Sequence, residues 1–179
     1  MKHAQKRYEL DNLLKYIKEN NVCRILEIGS RYGHTLDEMV RAMPPSDNSY
    51  ALSIELPNGP WGRTDSLPEL EDRIRLLNDD GYTVELLLGE SQNPEIYEHV
   101  LSKEKFDLIL IDGDHSYNAV KADFEIYGEH AKNIVFHDIA APALDVKYVW
   151  GEITRIHKNV KTFIEDIDPV MGIGILINE

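Results

Sequence analysis

A chain of 179 residues suffices for one domain with a full core and is too short for two ordinary ones, and 42% hydrophobic with 28% charged residues excludes a disordered chain. A formal net charge of -13 without a local basic patch excludes direct nucleic-acid binding, because a negative surface field repels phosphate. The single cysteine, Cys23, excludes an internal disulfide, and MKHAQKRYEL has no signal-peptide core; with no apolar run near the roughly 20 residues of a membrane span, a cytoplasmic protein without membrane contact is expected.

In chain order, Leu10, Leu13, Leu14 and Ile17 share one helical face, so 8–20 reads as an amphipathic helix within a lead-in segment, 1–21. Cys23 precedes a branched apolar run and reads as a buried, inert thiol. CRILEIG predicts a buried strand, 35–43 a helix stopped by Pro44-Pro45, and YALSIE, 50–55, a second strand. LPNGPWGRTDS, 56–66, is a loop rich in Gly and Pro, whose Trp61 either closes over a ligand or packs. A helix over 67–80 with a glycine stop at Gly81 precedes the strand YTVELLLG. Further on come a helix at 94–103, the strand FDLILIDG at 106–113, a helix near 117–130, the strand NIVFHD at 133–138 and a helix at 146–159. KTFIED, 161–166, and GIGILIN, 172–178, are joined by a short turn through Pro169 and should pair antiparallel, since they lie too close for a parallel crossover.

Strands alternating with helices predict an α/β fold: a doubly wound, Rossmann-like, mostly parallel sheet of seven strands with an antiparallel C-terminal hairpin, in one domain over 1–179. Such sheets bind ligands beyond the carboxyl ends of their strands, near the switch point between the first and the fourth. After the first strand stand Glu27, Gly29, Ser30, Arg31 and Gly33. Glycines at a strand-to-helix turn admit a ligand to the backbone, and a carboxylate there attracts an ammonium such as a methionine moiety offers. The glycine spacing is not that of nicotinamide enzymes, and a plain βα turn would also use glycine. Glu55, ending the second strand, can accept from both hydroxyls of a ribose; Ser91, after the third, sits in a turn that reads an adenine edge or merely turns.

The fourth strand ends in Asp112, Asp114 and His115, and the fifth in His137 and Asp138. Burying such a cluster unpaired would cost several kcal/mol per charge, so packing does not explain it. It suits a divalent cation on Asp112, His137 and Asp138 that polarises a substrate hydroxyl, with His115 as general base. Against this stand Asp114 as a helix cap and His137 as a satisfied strand-end histidine.

The runs FDLILIDGDHSYNAVKADFEIYG, NIVFHDI and RILEIGSRYGHTL, with IELPNGPWG, SLPELEDRI and the closing GIGIL, resemble class I methyltransferases. Within that class they resemble the cephalosporin-hydroxylase-like and macrolide sugar O-methyltransferase group (methyltransferase family 24-like), over residues 22–177. That resemblance implies S-adenosylmethionine as cofactor, its methionine part held by Glu27, Gly29 and Gly33, its ribose by Glu55 and its adenine near Ser91. It implies magnesium or manganese on Asp112 and Asp138, with His137 where sugar-methylating relatives tend to carry a second acid, and His115 as base. Two features depart from the pattern: Arg31 replaces a third glycine, and His137 suits magnesium poorly, which leaves manganese, iron, zinc or no metal open.

The expected activity is O-methylation of a small molecule or sugar, and the lack of long lid regions would also admit a larger glycan. A nicotinamide oxidoreductase, an iron-dependent oxygenase built on Asp112, His115 and His137, and a non-catalytic nucleoside-binding module are the alternatives. A homo-oligomer is compatible with the lead-in helix, which covers either the sheet or a second subunit.

Overall fold

The computed structural model describes residues 6–44, 46, 48–58 and 66–178. Its elements are α1 (Arg7–Glu19), β1 (Arg24–Ile28), α2 (His34–Ala42), β2 (Tyr50–Glu55), α3 (Leu67–Asp79), β3 (Val84–Leu88) and α4 (Pro94–Leu101). They continue with β4 (Phe106–Ile111), α5 (Tyr117–Tyr127), β5 (Ala131–His137), α6 (Val146–Ile156), β6 (Val160–Phe163) and β7 (Ile173–Ile177). The sheet order is β3-β2-β1-β4-β5-β7-β6. The first five strands are parallel, and β7 enters antiparallel between β5 and β6. The seven-stranded, mostly parallel sheet and the antiparallel closing pair are as expected.

Most differences from expectation lie at element ends. The helix expected to reach 159 stops at Ile156, which is 76% exposed, because its buried stripe of Val146, Val149, Trp150 and Ile153 ends a residue-turn earlier. The helix expected near 117–130 gives way after Tyr127 to one 3-10 turn, Gly128–His130. The last two strands are joined by residues 164–172 rather than by a short turn, because β6 ends at Phe163, beyond which Ile164 is exposed. Residues 59–65 of the long loop, Trp61 among them, lie outside the described residues, as do residues 1–5 of the lead-in segment. Among the described residues no helix is long and apolar enough to cross a membrane.

Successive side chains of a strand point to opposite faces, so the sheet carries two cores. Ile25, Ala51, Leu108, Leu110 and Val135 face α1, α2 and α3, which bury Leu13, Ile17, Leu36, Met39, Leu70 and Leu77. Leu26, Ile28, Leu52, Ile54, Ile109, Ile111 and Phe136 face α4, α5 and α6, which bury Val100, Val120, Tyr127, Val149 and Trp150. Each fully buried Leu or Ile contributes about 1.5–3 kcal/mol, enough to override weak local preferences. The same alternation sets the site. Counting on by twos along the first face, Ile25 leads to Glu27, Ala51 to Ser53 and Glu55, Leu110 to Asp112, and Val135 to His137. Glu27, Glu55, Asp112 and His137 therefore project on one side of the sheet, at the ends of adjacent strands.

Gly174 of β7 lies flat beneath Trp150: a Cβ there would stand 2.7 Å from Trp150 Cζ2. Gly174→Ala should lower stability by about 1–3 kcal/mol through overpacking. Urea unfolding followed by Trp fluorescence checks this, and an unchanged midpoint would mean that Trp150 is free to move aside.

Candidate active site

Three backbone hydrogen bonds draw the strand ends together: Gly29 N–H to the Ile54 carbonyl at 2.9 Å, Asp112 N–H to Ile28 at 2.9 Å, and Gly89 N–H to Glu55 at 2.9 Å. Gly29 has φ +91°, and a Cβ on it would lie 2.4 Å from the Asp112 carbonyl oxygen. Only glycine allows the turns after β1 and β4 to approach this closely. Gly33, with φ +74°, opens α2 beneath Leu70 and Arg73. Arg31, in place of a glycine, takes the left-handed conformation itself, φ 50°, and its N–H donates to Glu55 Oε2.

Glu27 is 1% exposed. The Ser30 hydroxyl donates to its carboxyl and accepts in turn from Ser53 Oγ at 2.7 Å, while Glu27 Oε2 finds no partner. Burial, with nearby Asp112 and Glu55, pushes the Glu27 pKa up to about 8. Glu55 is also raised by burial, against the N–H groups of Arg31 and Leu56 that its carboxylate accepts.

Across β4 and β5, Ile111 pairs with Phe136, so the next residues, Asp112 and His137, stand side by side. His137 Nδ1 lies 3.0 Å from Asp112 Oδ1 and 3.4 Å from Asp138 Oδ2. Neither approach has the alignment of a hydrogen bond, and Nε2 has no partner either. His115 approaches the same carboxylates from the outer side, Nε2 at 3.2 Å from Asp112 Oδ1 and Nδ1 at 3.4 Å from Asp138 Oδ2. Its side chain is 23% exposed, against 2% for His137. Burial alone would lower the His137 pKa, but Asp112 and Asp138 overcome it and raise it to about 10; His115 is raised by the same carboxylates. Burial would likewise raise Asp112, yet His137 and His115 hold it well below the usual carboxylate range. Asp138 is 2% exposed, sits at φ 61° and leaves Oδ1 without a partner. A non-glycine residue held there costs on the order of 1–3 kcal/mol, which proteins commonly sustain at functional sites.

Among the described residues eight buried side-chain polar atoms lack a hydrogen-bond partner, and four of them belong to Glu27, His137 and Asp138. Buried polar groups are normally hydrogen-bonded, so their concentration at one place makes it the candidate site. A cationic, hydroxylated ligand fits the inner half: an orphan Glu27 oxygen, the Gly29 cradle and the Glu55 carboxylate. A divalent cation fits the outer half, where donor atoms of Asp112, His115 and Asp138 all lie within 4.8 Å of one another, two oxygens and one nitrogen. His137, expected from the sequence as a ligand, pairs with the same two carboxylates from the buried side. Asp114 accepts the Ser116 N–H at 2.8 Å and takes no part in the cluster.

Ser91 stands apart from these groups. It lines the turn after β3, and its hydroxyl donates to Asp123 Oδ1 of α5 at 2.6 Å. A cleft of ≈ 500 Å³ opens in front of this turn, lined by Leu56, Pro57, Asn58, Gly89, Glu90 and Asn93. Asp123 and Tyr127 escape a search confined to strand ends. Their one signal is that Asp123 falls between Val120 and Tyr127 on the buried stripe of α5, where packing would place an apolar residue.

Residues 26–139 match the family described as a methyltransferase domain. No curated protein matches the chain. Among solved structures it is similar to the O-methyltransferase TomG of Streptomyces achromogenes, involved in tomaymycin synthesis and solved with SAM: TM-score 0.74, 16% identity, 98% of this chain and 82% of that one. It is also similar to an O-methyltransferase of Bacillus cereus in complex with SAH: TM-score 0.72, 16% identity, 98% and 83%. The SAH-bound methyltransferase PaMTH1 of Podospora anserina gives 0.63 and 15%, covering 98% and 80%. These likenesses bear out the Rossmann-like methyltransferase fold expected from the strand-end motifs. With the family match extending over more than half of its length, the chain belongs to the methyltransferase-domain family.

Proposed function

We propose that the protein transfers a methyl group from S-adenosylmethionine to a hydroxyl of a small molecule or sugar. The observation that carries the reading is the buried Glu27 carboxyl, its Oε2 without a hydrogen-bond partner, in the strand that leads into Gly29, whose turn lies against the Asp112 carbonyl. The neighbours solved with SAM or SAH support the same cofactor here.

Glu27, Gly29, Ser30, Arg31 and Gly33 hold the methionine part and Glu55 the ribose hydroxyls, with Asp112 at the border between cofactor and acceptor. S-adenosylmethionine supplies, when bound, an electrophilic methyl carbon on a sulfonium. An acceptor oxygen held in line would take that methyl, with the carbon–sulfur electron pair leaving on sulfur. His115, the more exposed of the two imidazoles, takes the hydroxyl proton, and Asp112 and Asp138 orient its ring and stabilise the imidazolium. His137 is too deeply buried to reach an acceptor and serves by offsetting the two carboxylates. Asp112 and Asp138, with an imidazole, would also hold a divalent cation such as magnesium or manganese, which supplies Lewis acidity to the acceptor oxygen. Most of the rate gain comes from holding donor and acceptor in line.

Calorimetric titration with S-adenosylhomocysteine should show micromolar binding, with none for NAD; the reverse result, or no binding to folded protein, overturns the reading. Because Glu27 holds its proton up to about pH 8 in the free protein, a bound ammonium or sulfonium should pull its pKa down. Binding near neutrality should therefore release a proton and strengthen as pH rises towards about 8. Titrations in buffers of different ionisation enthalpy read this release, and Glu27→Gln should abolish it.

His115→Ala should lower turnover by about 10²–10⁴-fold, the usual contribution of a general base, and leave S-adenosylhomocysteine affinity nearly unchanged. Asp112→Ala and Asp138→Ala should also cripple turnover. Wild-type rates in all three would refute the site assignment, and the rate with chelator against added magnesium or manganese decides the metal's part.

A further inference from the structure

The turn after β3 is gripped from behind by α5, through side chains that the proposed reaction does not use. Ser91 Oγ donates to Asp123 Oδ1 at 2.6 Å, the Ser91 carbonyl accepts from the Tyr127 hydroxyl, and Gln92 Nε2 donates to the Ala119 carbonyl at 3.3 Å. Asp123 is 2% exposed and Tyr127 0%, so both are shielded from any ligand and act only through the turn. A carboxyl is costly at this depth: burial pushes Asp123 up to about 6, against the Ser91 hydroxyl that favours its ionised form. Burying a polar group is unfavourable unless its hydrogen bonds do something an apolar side chain cannot. Here they fix Ser91 at both its side chain and its carbonyl.

The other side of the same turn faces the ≈ 500 Å³ cleft, with Gly89, Glu90 and Asn93 on one wall and Leu56, Pro57 and Asn58 on the other. Its volume lies within the roughly 300–1,000 Å³ of small-molecule sites. The cleft begins with Leu56, the residue after Glu55 at the end of β2, within reach of the base of a nucleoside whose ribose Glu55 would hold.

We propose that Asp123 and Tyr127 are positioning residues that lock residues 89–92 so that the turn reads the 6-amino edge of adenine in the cleft. The inference rests on the methyl-donor reading above. A turn that is free to shift offers hydrogen-bonding groups at no fixed place and loses discrimination, whereas a fixed one rejects an analogue that lacks the matching donor.

The test is calorimetry of wild type, Asp123→Ala, Asp123→Asn and Tyr127→Phe with two probes, S-adenosylhomocysteine and its inosine analogue, which carries a 6-oxo group. Wild type should prefer the adenine form. Asp123→Ala should reduce that preference by about tenfold, the value of one charge-assisted hydrogen bond, and Tyr127→Phe by about threefold. Asp123→Asn keeps an acceptor for Ser91 and should restore most of the preference. A residue that merely supports the fold would lower thermal stability and leave the ratio of the two affinities unchanged; that result in Asp123→Ala, or in Tyr127→Phe should the first variant not fold, overturns the proposal. A wild type that binds S-adenosylhomocysteine without preferring it also overturns it and leaves the methyl-donor reading standing. A wild type that binds neither probe overturns both.

Discussion

Two imidazoles flank the largely buried Asp112, His137 from below and His115 from the mouth, and they hold its carboxyl well below the usual carboxylate range against the pull of burial. An isolated carboxylate at that depth would cost several kcal/mol and would take up a proton instead. Asp138 meets the His115 ring at Nδ1, opposite the nitrogen that faces Asp112, and shares His137 Nδ1 with Asp112, so the four groups form two acids and two bases within ion-pairing distance. Removing either acid leaves both imidazoles with one carboxylate, whereas without His115 the two acids still face His137. One strand away, burial raises the Glu27 carboxyl, with Asp112 and Glu55 adding to the rise and His137 opposing it.

The cluster exists because the sheet obeys a period of two. Had any of β1, β2, β4 or β5 slipped by one residue, its acid or histidine would have turned into the apolar layer on the far face, and a core residue would have taken its place. The apolar pattern that fixes the register for stability thereby fixes the site. Gly29 adds a second constraint, since the turn after β1 can press against the Asp112 carbonyl only without a side chain. Packing and chemistry are thus specified by the same positions.

The two halves of the site differ in how firmly they are built. The half assigned to the methyl donor rests on strand ends, backbone hydrogen bonds and the clamp from α5. Beyond Asp138, residues 138–145 and 164–172 are irregular, and the N–H groups of Ile139 and Ala140 bond to the carbonyls of Gly172 and Met171. Rigid elements suit the unvarying ligand and loops the variable one, which is why acceptors diverge within a shared methyltransferase fold. The fold is shared with solved O-methyltransferases at 16% identity, so the packing of the sheet tolerates exchange of most side chains.

The amino-acid sequence by itself determined the strands, the helices and the strand-end residues Glu27, Glu55, Asp112, His115, His137 and Asp138. Apolar runs of branched residues, amphipathic stripes and glycine-terminated strands are local signals, readable without knowing what packs on what. Element ends were less legible: α6 stops where its stripe stops, and β6 gives way to residues 164–172 once its side chains face solvent. What only the tertiary structure decided is which of these groups meet. That His115 and His137 approach the same pair of carboxylates from opposite sides follows from the pairing of β4 with β5 and from the left-handed turn at Asp138, neither of which leaves a mark in sequence spacing. Asp123 and Tyr127 were hidden for the same reason. A helix residue acquires its meaning from the turn it packs against, and that neighbour lies more than thirty residues away in the chain.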